Sequence, residues 1–196
     1  MLLAAVLALA ASPDPPRACA WVRAANDGAG AGFVVDAPKR LLVTCRHVVG
    51  DRKSVEVFFP WVRDGELVTD RAAYLRNRDP LRARGVLVGG TVLRTSDALD
   101  LALVELDSLP KGAKAVTLAT RPPHPGEPLR VVGHRADLDT LRNVTRGPLR
   151  ATGPLAEGYF WRGKKLAAGA NALLVQFPTE EGDSGGPVFD SRGEVV

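Results

Sequence analysis

The sequence predicts an all-β protein. Glycine and proline are frequent (20 and 15 of 196 residues), and short runs rich in Val, Leu and Thr lie between them. Many short apolar segments separated by turn residues are typical of β-strands joined by tight turns. Apolar residues make up 45% of the chain and charged residues 24%, which is ordinary for a globular protein, and the length suits one large or two small domains.

Apolar runs mark the predicted strands along the chain. Residues 55–59 alternate as a strand does, and residues 101–106 (LALVEL) read as a buried strand. The glycines of residues 27–32 open an apolar run rather than a helix, so they do not fit a dinucleotide-binding loop. Residues 66–84 are polar and rich in arginine. Within them, residues 70–76 predict a helical turn or a long loop, which Asp79 and Pro80 break. The strands are predicted at residues 21–24, 33–35, 41–44, 55–59, 86–88, 91–94, 101–106, 115–118, 129–132, 144–145, 149–152 and 172–177.

The N-terminal eleven residues (MLLAAVLALAA) are almost entirely apolar. They are too short to cross a bilayer, which takes roughly 20 residues, so no stable membrane span is predicted. The run is typical of the core of a signal peptide, with the small residues 8–10 (ALA) as a cleavage site. It predicts export to the periplasm or the medium, followed by a linker over residues 12–20. A short buried helix is the alternative interpretation.

Charge and cysteine content exclude several function classes. The formal net charge of +4 is carried mainly by scattered arginines, with no dense basic block between aromatics, so nucleic-acid binding is not expected. The two cysteines, Cys19 and Cys45, do not form a metal motif. They could pair in an exported chain or remain two buried thiols, and the sequence leaves both open. Neither a metal nor a cofactor is predicted.

The stretch GDSGGP at residues 182–187 is the strongest chemical signal. It fits the Gly-x-Ser-x-Gly elbow of α/β-hydrolases, but that fold places its histidine after the serine, and no histidine follows Ser184. It also fits the order histidine, aspartate, serine, for which the upstream chain supplies both partners. A serine hydroxyl needs a base to become a nucleophile, and the oxyanion that forms needs N–H donors. The backbone N–H groups of Gly182 and Ser184 are the candidate oxyanion donors.

Three stretches together resemble the trypsin-like serine proteases, and more closely their bacterial HtrA/Deg branch. Residues 31–35 (AGFVV) with 42–49 (LVTCRHVV) are similar to the family's glycine-containing strand and its Thr-x-x-His motif. Residues 100–104 (DLALV) are similar to the aspartate motif, and residues 182–187 match the serine motif. The likeness runs from about residue 21 to the end of the sequence.

The resemblance implies two antiparallel β-barrels of the chymotrypsin type. The N-terminal barrel is then expected over residues 21–108, an inter-barrel linker over 109–117 and the C-terminal barrel over 118–196. In the family several strands follow the serine, so the second barrel is expected to be truncated at its C-terminal end. Cleavage specificity is not readable, although Pro178 stands where trypsins carry their pocket acid, which argues against a preference for Arg or Lys.

The resemblance also implies the roles of the site residues. His47 becomes the general base, Asp100 its orienting partner and Ser184 the nucleophile of a serine endopeptidase that acts on polypeptides through an acyl-enzyme. Asp97 is the competing acid, but Asp100 directly opens the strand of residues 101–104. A catalytically inactive binding module with the same fold is the alternative function.

Three further residues carry expectations of their own. His124 and His134 lie in turn-rich polar contexts and are interpreted as surface residues. Asp183 precedes the serine, where trypsins pair an acid with a freed N-terminus; no matching N-terminal sequence is present, so its partner is not predictable.

Overall fold

A computed structural model of the chain describes residues 17–25, 28–154, 160–161, 164–165 and 171–196. The predicted signal-like segment and most of the predicted linker after it lie outside the described residues. Within them the all-β prediction is confirmed, because strands dominate and the helices are short. The elements in chain order are β1 (Cys19–Arg23), β2 (Ala29–Asp36), β3 (Leu41–Cys45), α1 (Arg46–Val49), β4 (Ser54–Phe58), β5 (Val62–Arg63), β6 (Glu66–Leu67), α2 (Arg71–Arg76), α3 (Arg78–Ala83), β7 (Leu87–Ser96), β8 (Leu101–Leu106), β9 (Pro128–Gly133), a 3₁₀ turn η1 (Ala136–Leu138), β10 (Asn143–Pro154), β11 (Phe160–Trp161), β12 (Lys164–Lys165), β13 (Asn171–Val175) and β14 (Val188–Phe189).

The first half of the chain forms a closed antiparallel barrel. Its strands run around the wall in the order β1-β2-β3-β8-β7-β4, and β4 pairs back with β1 to close it. Closure leaves the barrel itself without a free sheet edge. Alternate side chains of the strands fill the interior, and each fully buried Val or Leu stabilises the fold by about 1.5–3 kcal/mol. The interior includes Val22, Val34, Leu42, Val57 and Val104.

The second half forms an open sheet in the order β13-β10-β9-β14. The long strand β10 serves two neighbours in succession: residues 143–148 pair with β9, and the remainder pairs with β13 from Leu149 onwards. The sequence predicts a break at Gly147 and Pro148, yet the strand continues through them. The proline is tolerated because it lies at the last pair of the β9 ladder, opposite Pro128, where the pairing changes partner.

An insertion between β4 and β7 packs beside the barrel. It contains the β5–β6 hairpin and the helices α2 and α3. Asp70 begins α2, since its Oδ1 accepts a hydrogen bond from the N–H of Ala72 at 2.9 Å, which satisfies one unpaired donor of the first turn. The predicted break at Asp79-Pro80 falls instead at Asn77, and Pro80 lies in the first turn of α3, where a missing N–H costs nothing.

A second apolar cluster joins this insertion to both halves of the chain. It gathers aromatic residues of the barrel wall and the insertion, together with one leucine from the loop between β9 and β10. Tyr74 lies at its centre, with its ring edge-on to both Phe58 and Trp61. The buried members are Trp21, Phe58, Trp61, Ala73, Tyr74, Leu81, Leu87 and Leu141.

The Tyr74 hydroxyl is the polar contact inside this cluster. It accepts a hydrogen bond from the N–H of Trp61 at 2.8 Å and donates one to the carbonyl of Val68 at 3.1 Å. Burial raises the pKa of the Tyr74 phenol, so it remains a neutral donor at physiological pH. The hydroxyl therefore fixes the position of the segment between β4 and α2.

We expect Tyr74→Phe to lower the free energy of unfolding by about 1–3 kcal/mol, because it removes the partner of the buried Trp61 N–H and of the half-buried Val68 carbonyl. Urea unfolding measures the change. Thr95→Val removes an exposed hydroxyl from β7 and serves as the control, for which a change within about 0.5 kcal/mol is expected. Equal stability of Tyr74→Phe and the wild type would contradict the role given to this hydroxyl.

Candidate active site

His47 and Asp100 form a pair at one end of the first barrel. His47 lies on the single turn α1, directly after β3, and Asp100 lies directly before β8, which is the neighbour of β3 in the barrel. The Asp100 carboxylate accepts two hydrogen bonds from His47: Oδ2 contacts ring Nδ1 at 2.6 Å, and Oδ1 accepts from the backbone N–H at 2.9 Å. Both the rotation and the tautomer of the ring are therefore fixed, with Nε2 left for chemistry.

The backbone of Asp100 is held in an uncommon conformation. Its φ angle is +51°, in the left-handed region that non-glycine residues rarely occupy, and its carbonyl accepts a hydrogen bond from the N–H of Arg46. Strain of this kind persists only where the surroundings enforce it, and it is common at functional sites. Asp97, the competing acid, forms an ion pair with Arg46 instead, at 3.2 Å from Nε.

The serine turn is built on two glycines with positive φ. Gly182 has φ +96° and Gly185 has φ +83°, and a Cβ at either position would lie within 2.3 Å of a carbonyl oxygen. These conformations and contacts admit only glycine. Among the described residues, the N–H groups of Gly182 and Ser184 donate to no acceptor of the chain. The two N–H groups that the sequence predicts as oxyanion donors thus have no intramolecular acceptor in the part of the chain that the structure describes.

The turn rests on the wall of the first barrel. The carbonyl of Ser184 accepts a hydrogen bond from the N–H of Ala31 on β2 at 2.8 Å, and the Thr44 hydroxyl donates to the Ala31 carbonyl at 2.7 Å. A Cβ on Gly30 would lie 2.6 Å from the Ser184 carbonyl, so the strand must have glycine there. The glycine-rich strand and the threonine of the Thr-x-x-His stretch thus serve one purpose, which is to seat the serine turn.

His47 and Ser184 line a common cavity of about 170 Å³. The cavity wall also includes Gly182 from the serine turn, Arg71 from α2 and His134, the residue that follows β9. No hydrogen bond joins the Ser184 hydroxyl to the His47 ring within the part of the chain that the structure describes. The structure thus brings Asp100 onto His47 and places the serine at the same cavity as the histidine.

Asp183 has its partner in the turn itself. Its Oδ2 accepts a hydrogen bond from the N–H of Glu180 at 3.0 Å, and its carboxyl lies so close to Gly133 that a Cβ there would be 1.8 Å from Oδ1. Oδ1 is buried without a hydrogen bond among the described residues. Burial raises the pKa of the Asp183 carboxyl, while the Glu180 N–H and the charge of Arg135 act in the opposite direction.

His134 is buried, so the prediction that it lies on the surface is wrong. Its Nδ1 accepts a hydrogen bond from the N–H of Arg142 at 3.0 Å, which assigns the proton of the neutral ring to Nε2. Burial, together with the positive charges of Arg142 and Arg71, lowers the pKa of the His134 imidazole to about 3. The polar sequence around it gave no signal of this burial, which arises from packing between the two halves. His124 is exposed, as predicted.

Both cysteines are free thiols in the structure. Cys45 lies beside the His–Asp pair, and its Sγ, an imidazole nitrogen of His47 and a carboxylate oxygen of Asp100 lie within 4.8 Å of one another. This is a geometry in which a metal could be considered. Burial and the neighbouring Asp100 charge raise the pKa of the Cys45 thiol to about 12, so the group is a neutral thiol near neutrality when no cation is bound.

Arg71 is the site residue that sequence reasoning missed. It lies in the insertion, far from the three stretches that predicted the site, and nothing in its local sequence distinguishes it from the other arginines there. Only the tertiary contact between α2 and the loop after β9 brings its guanidinium to the cavity.

A closed antiparallel barrel whose His–Asp pair faces a glycine-rich serine turn defines the class of trypsin-like proteins. The comparisons agree: the sequence profile of the trypsin-like peptidase domain matches residues 30–196. The chain belongs to this family, and the predicted resemblance is confirmed. No curated protein sequence was found to match the chain significantly.

Solved structures share the fold. The active form of the Rv3671c protease from M. tuberculosis is 20% identical with a TM-score of 0.67, over 92% of this chain and 68% of that one. Its inactive form has a TM-score of 0.66 at 20% identity, over 92% and 74%. The HtrA-type protease AlgW, as a variant with a tripeptide, is 18% identical with a TM-score of 0.65; the alignment covers 92% of this chain and about half (49%) of AlgW. No helix among the described residues is long and apolar enough to cross a membrane.

The buried neutral His134 predicts a pH-dependent stability. Because its folded pKa of about 3 lies below the ordinary value of 6.5, the unfolded chain binds the proton more readily between these values. The stability gained by keeping the ring neutral is therefore complete above pH 6.5 and is lost as the pH falls through this window. One proton corresponds to about 1.4 kcal/mol per pH unit within the window.

We expect His134→Asn, which keeps an acceptor for Arg142, to remove this dependence. Between about pH 7.5 and about pH 5, the wild type should lose about 2 kcal/mol more unfolding free energy than the variant. Urea unfolding at both pH values measures the difference. Parallel losses in the two proteins would show that the imidazole does not titrate as its burial requires.

Proposed function

We propose that the chain is a serine endopeptidase that cleaves polypeptides through an acyl-enzyme. The observation that carries the proposal is the pair of hydrogen bonds that His47 donates to Asp100, at the same cavity as Ser184. Family membership supports peptidase chemistry in general. The assignment of each residue rests on the geometry of this site.

The proposed reaction uses each group for the chemistry that its position allows. The Ser184 hydroxyl attacks the peptide carbonyl while His47 Nε2 takes its proton, and the same proton is then given to the leaving amine. Asp100 stabilises the imidazolium through the 2.6 Å contact to Nδ1. His47 then takes a proton from water as the water attacks the acyl ester, and it gives that proton to Ser184 Oγ as the ester bond breaks, which releases the carboxyl product and restores the serine hydroxyl.

The negative charge that develops on the substrate oxygen needs donors that are already oriented. We assign this role to the N–H groups of Gly182 and Ser184, which have no acceptor among the described residues. Loss of one oxyanion donor in a serine hydrolase costs about 2.7–4 kcal/mol of transition-state stabilisation. The rigid glycine turn is therefore as necessary to the proposal as the nucleophile.

The second candidate is a protease-fold binding module without turnover. The missing hydrogen bond between Ser184 and His47 in the described structure is the observation that favours it. Catalytic hydrogen bonds are often long before substrate binds, so the apo geometry is compatible with either candidate. Reactivity of the serine separates them.

We further propose that the protein is exported and acts outside the cytoplasm. The support is the apolar run of residues 1–11 with its small-residue cleavage site. N-terminal sequencing of the protein recovered from the periplasm or medium tests this, and recovery of an intact N-terminus from the cytoplasm alone would overturn it.

The first test is covalent labelling of the serine by a fluorophosphonate. We expect the wild type to be labelled at a single site and Ser184→Ala not to be labelled, because only an activated serine hydroxyl reacts at a useful rate. Ser54→Ala, at an exposed serine of β4, is the control and should be labelled like the wild type. A wild type that stays unlabelled while folded would favour the binding module.

The second test concerns the orienting carboxylate. We expect Asp100→Asn to reduce kcat by about 10³–10⁴ with little effect on KM, because the amide no longer enforces the tautomer that leaves Nε2 free. Asp97→Asn is the matched control and should retain activity, since Asp97 pairs with Arg46. Steady-state hydrolysis of a fluorogenic peptide measures both. Near-normal activity of Asp100→Asn would remove Asp100 from the proposed mechanism.

A further inference from the structure

The helix α2 of the insertion contacts the loop that follows β9, here called the β9–β10 loop (residues 134–142). The backbone N–H of Leu141 donates to the carbonyl of Thr69 at 2.8 Å, and Asp70 and Thr140 form an isolated antiparallel bridge. The Leu141 side chain is buried in the aromatic cluster around Tyr74. A segment of the first half thus holds a loop of the second half along several residues.

Arg71 makes the most extensive of these contacts. Its Nη2 donates hydrogen bonds to the carbonyls of His134 at 2.7 Å and Arg135 at 2.6 Å, while its backbone N–H donates to the carbonyl of Asp139 at 3.1 Å. The guanidinium carbon also lies 5.5 Å from the centre of the Trp21 ring, on the barrel wall. Charge-assisted hydrogen bonds of this kind are roughly twice as strong as neutral ones. The Arg71 side chain therefore fixes the start of the loop, and its backbone N–H holds the loop again at Asp139.

The same loop supports the serine turn from behind. The N–H of His134 donates to the carbonyl of Gly182 at 3.1 Å, and the N–H of Ala136 donates to the carbonyl of Glu181 at 2.8 Å. The His134 carbonyl that Arg71 binds lies directly against Gly182: a Cβ on Gly182 would be 2.1 Å from the His134 carbonyl oxygen. A shift of this carbonyl would therefore move the peptide that carries the Gly182 N–H.

We propose that Arg71 is a positioning residue, which holds the His134 carbonyl against Gly182 and so keeps the N–H groups of Gly182 and Ser184 directed into the cavity. The inference rests on the proposed function, in which these two groups stabilise the oxyanion. Arg71 acts through the β9–β10 loop and not through contact with the reacting atoms.

The free-energy cost of removing the Arg71 guanidinium from water is consistent with a positioning role. Burial lowers the pKa of the Arg71 guanidinium, which means that the charged form is partly desolvated. A desolvated cation is retained where its hydrogen bonds compensate for lost water, and here two carbonyls and an aromatic face do so. The planar guanidinium of arginine can bind the carbonyls of His134 and Arg135 while it stacks on the Trp21 ring. The ammonium group of a lysine could make fewer of these contacts at the same time.

Direct contact with substrate is the competing role, since Arg71 also lines the cavity and its Nε is buried without a hydrogen bond among the described residues. The two roles predict different effects of an Arg71 substitution on the reaction rates of reagents that are too small to contact Arg71. A substrate contact affects long peptides only. A positioning role affects every reagent that passes through an oxyanion, including those too small to reach Arg71.

The experiment compares Arg71→Met, Arg71→Lys and the control Arg82→Ala, with Ser184→Ala as the inactive reference. Arg71→Met keeps a long side chain but no donor, and Arg71→Lys keeps the charge and a donor for one carbonyl. Arg82 lies on α3 and pairs with Glu56, so its loss tests the insertion without touching the β9–β10 loop. Circular dichroism and urea unfolding verify that each protein is folded. If Arg71→Met does not fold, the comparison with the wild type is made with Arg71→Lys.

Two measurements decide the outcome. The first is the rate of fluorophosphonate labelling, together with kcat and KM for p-nitrophenyl acetate. We expect Arg71→Met to lower the labelling rate and kcat about 10- to 100-fold with KM nearly unchanged, Arg71→Lys to recover part of the loss, and Arg82→Ala to match the wild type. Wild-type rates for Arg71→Met with these two small reagents would overturn the inference and leave direct substrate contact.

The second measurement is hydrogen exchange of residues 134–142 and 181–186, followed by mass spectrometry. We expect faster exchange in both segments of Arg71→Met and not in Arg82→Ala. This readout needs no activity, so it separates the two proposals. An unreactive wild type with faster exchange in Arg71→Met would refute the peptidase proposal but support the positioning contact, whereas unchanged exchange would refute the contact in either case.

Discussion

The serine turn meets the first barrel through one backbone hydrogen bond, from the N–H of Ala31 to the carbonyl of Ser184. The rest of the site depends on this contact, because His47 and Asp100 belong to the first barrel and the serine to the second half. Gly30 and Gly185 allow the two backbones to approach, since a side chain at either position would collide with the other half. The Thr44 hydroxyl donates a hydrogen bond to the carbonyl of Ala31 and so fixes the residue that contacts the serine turn. Residues distant in sequence thus acquire a fixed separation without a covalent link.

The turn is held from two sides. On one side lies the wall of the barrel, and on the other lies the β9–β10 loop, whose N–H groups bind the carbonyls of Glu181 and Gly182. Asp183 adds an internal brace, with its carboxyl against Gly133 and the N–H of Glu180. These supports hold the backbone of the turn from both sides, which suits the oxyanion role proposed for its N–H groups.

Those parts of the fold and site that are encoded locally could be predicted from sequence. The strands β4, β8 and β9 follow from their alternating or apolar runs, and the order of His47, Asp100 and Ser184 follows from short motifs. What failed was determined by packing. β10 continues through Gly147 and Pro148 because its partner changes there, and His134 is buried because two halves of the chain close over it. Arg71 escaped notice for the same reason, since its contacts are to backbone atoms more than 60 residues away.

Leu141 has a consequence for how the two halves coexist. It comes from the second half, yet it completes an aromatic cluster whose other members all belong to the first half. If the polypeptide were cleaved between β8 and β9, the N-terminal fragment would have a cavity in place of the Leu141 side chain, and the C-terminal fragment would expose that side chain to solvent. We expect such fragments to reassociate when mixed, because the two halves fold as one cooperative unit and not as two independent domains.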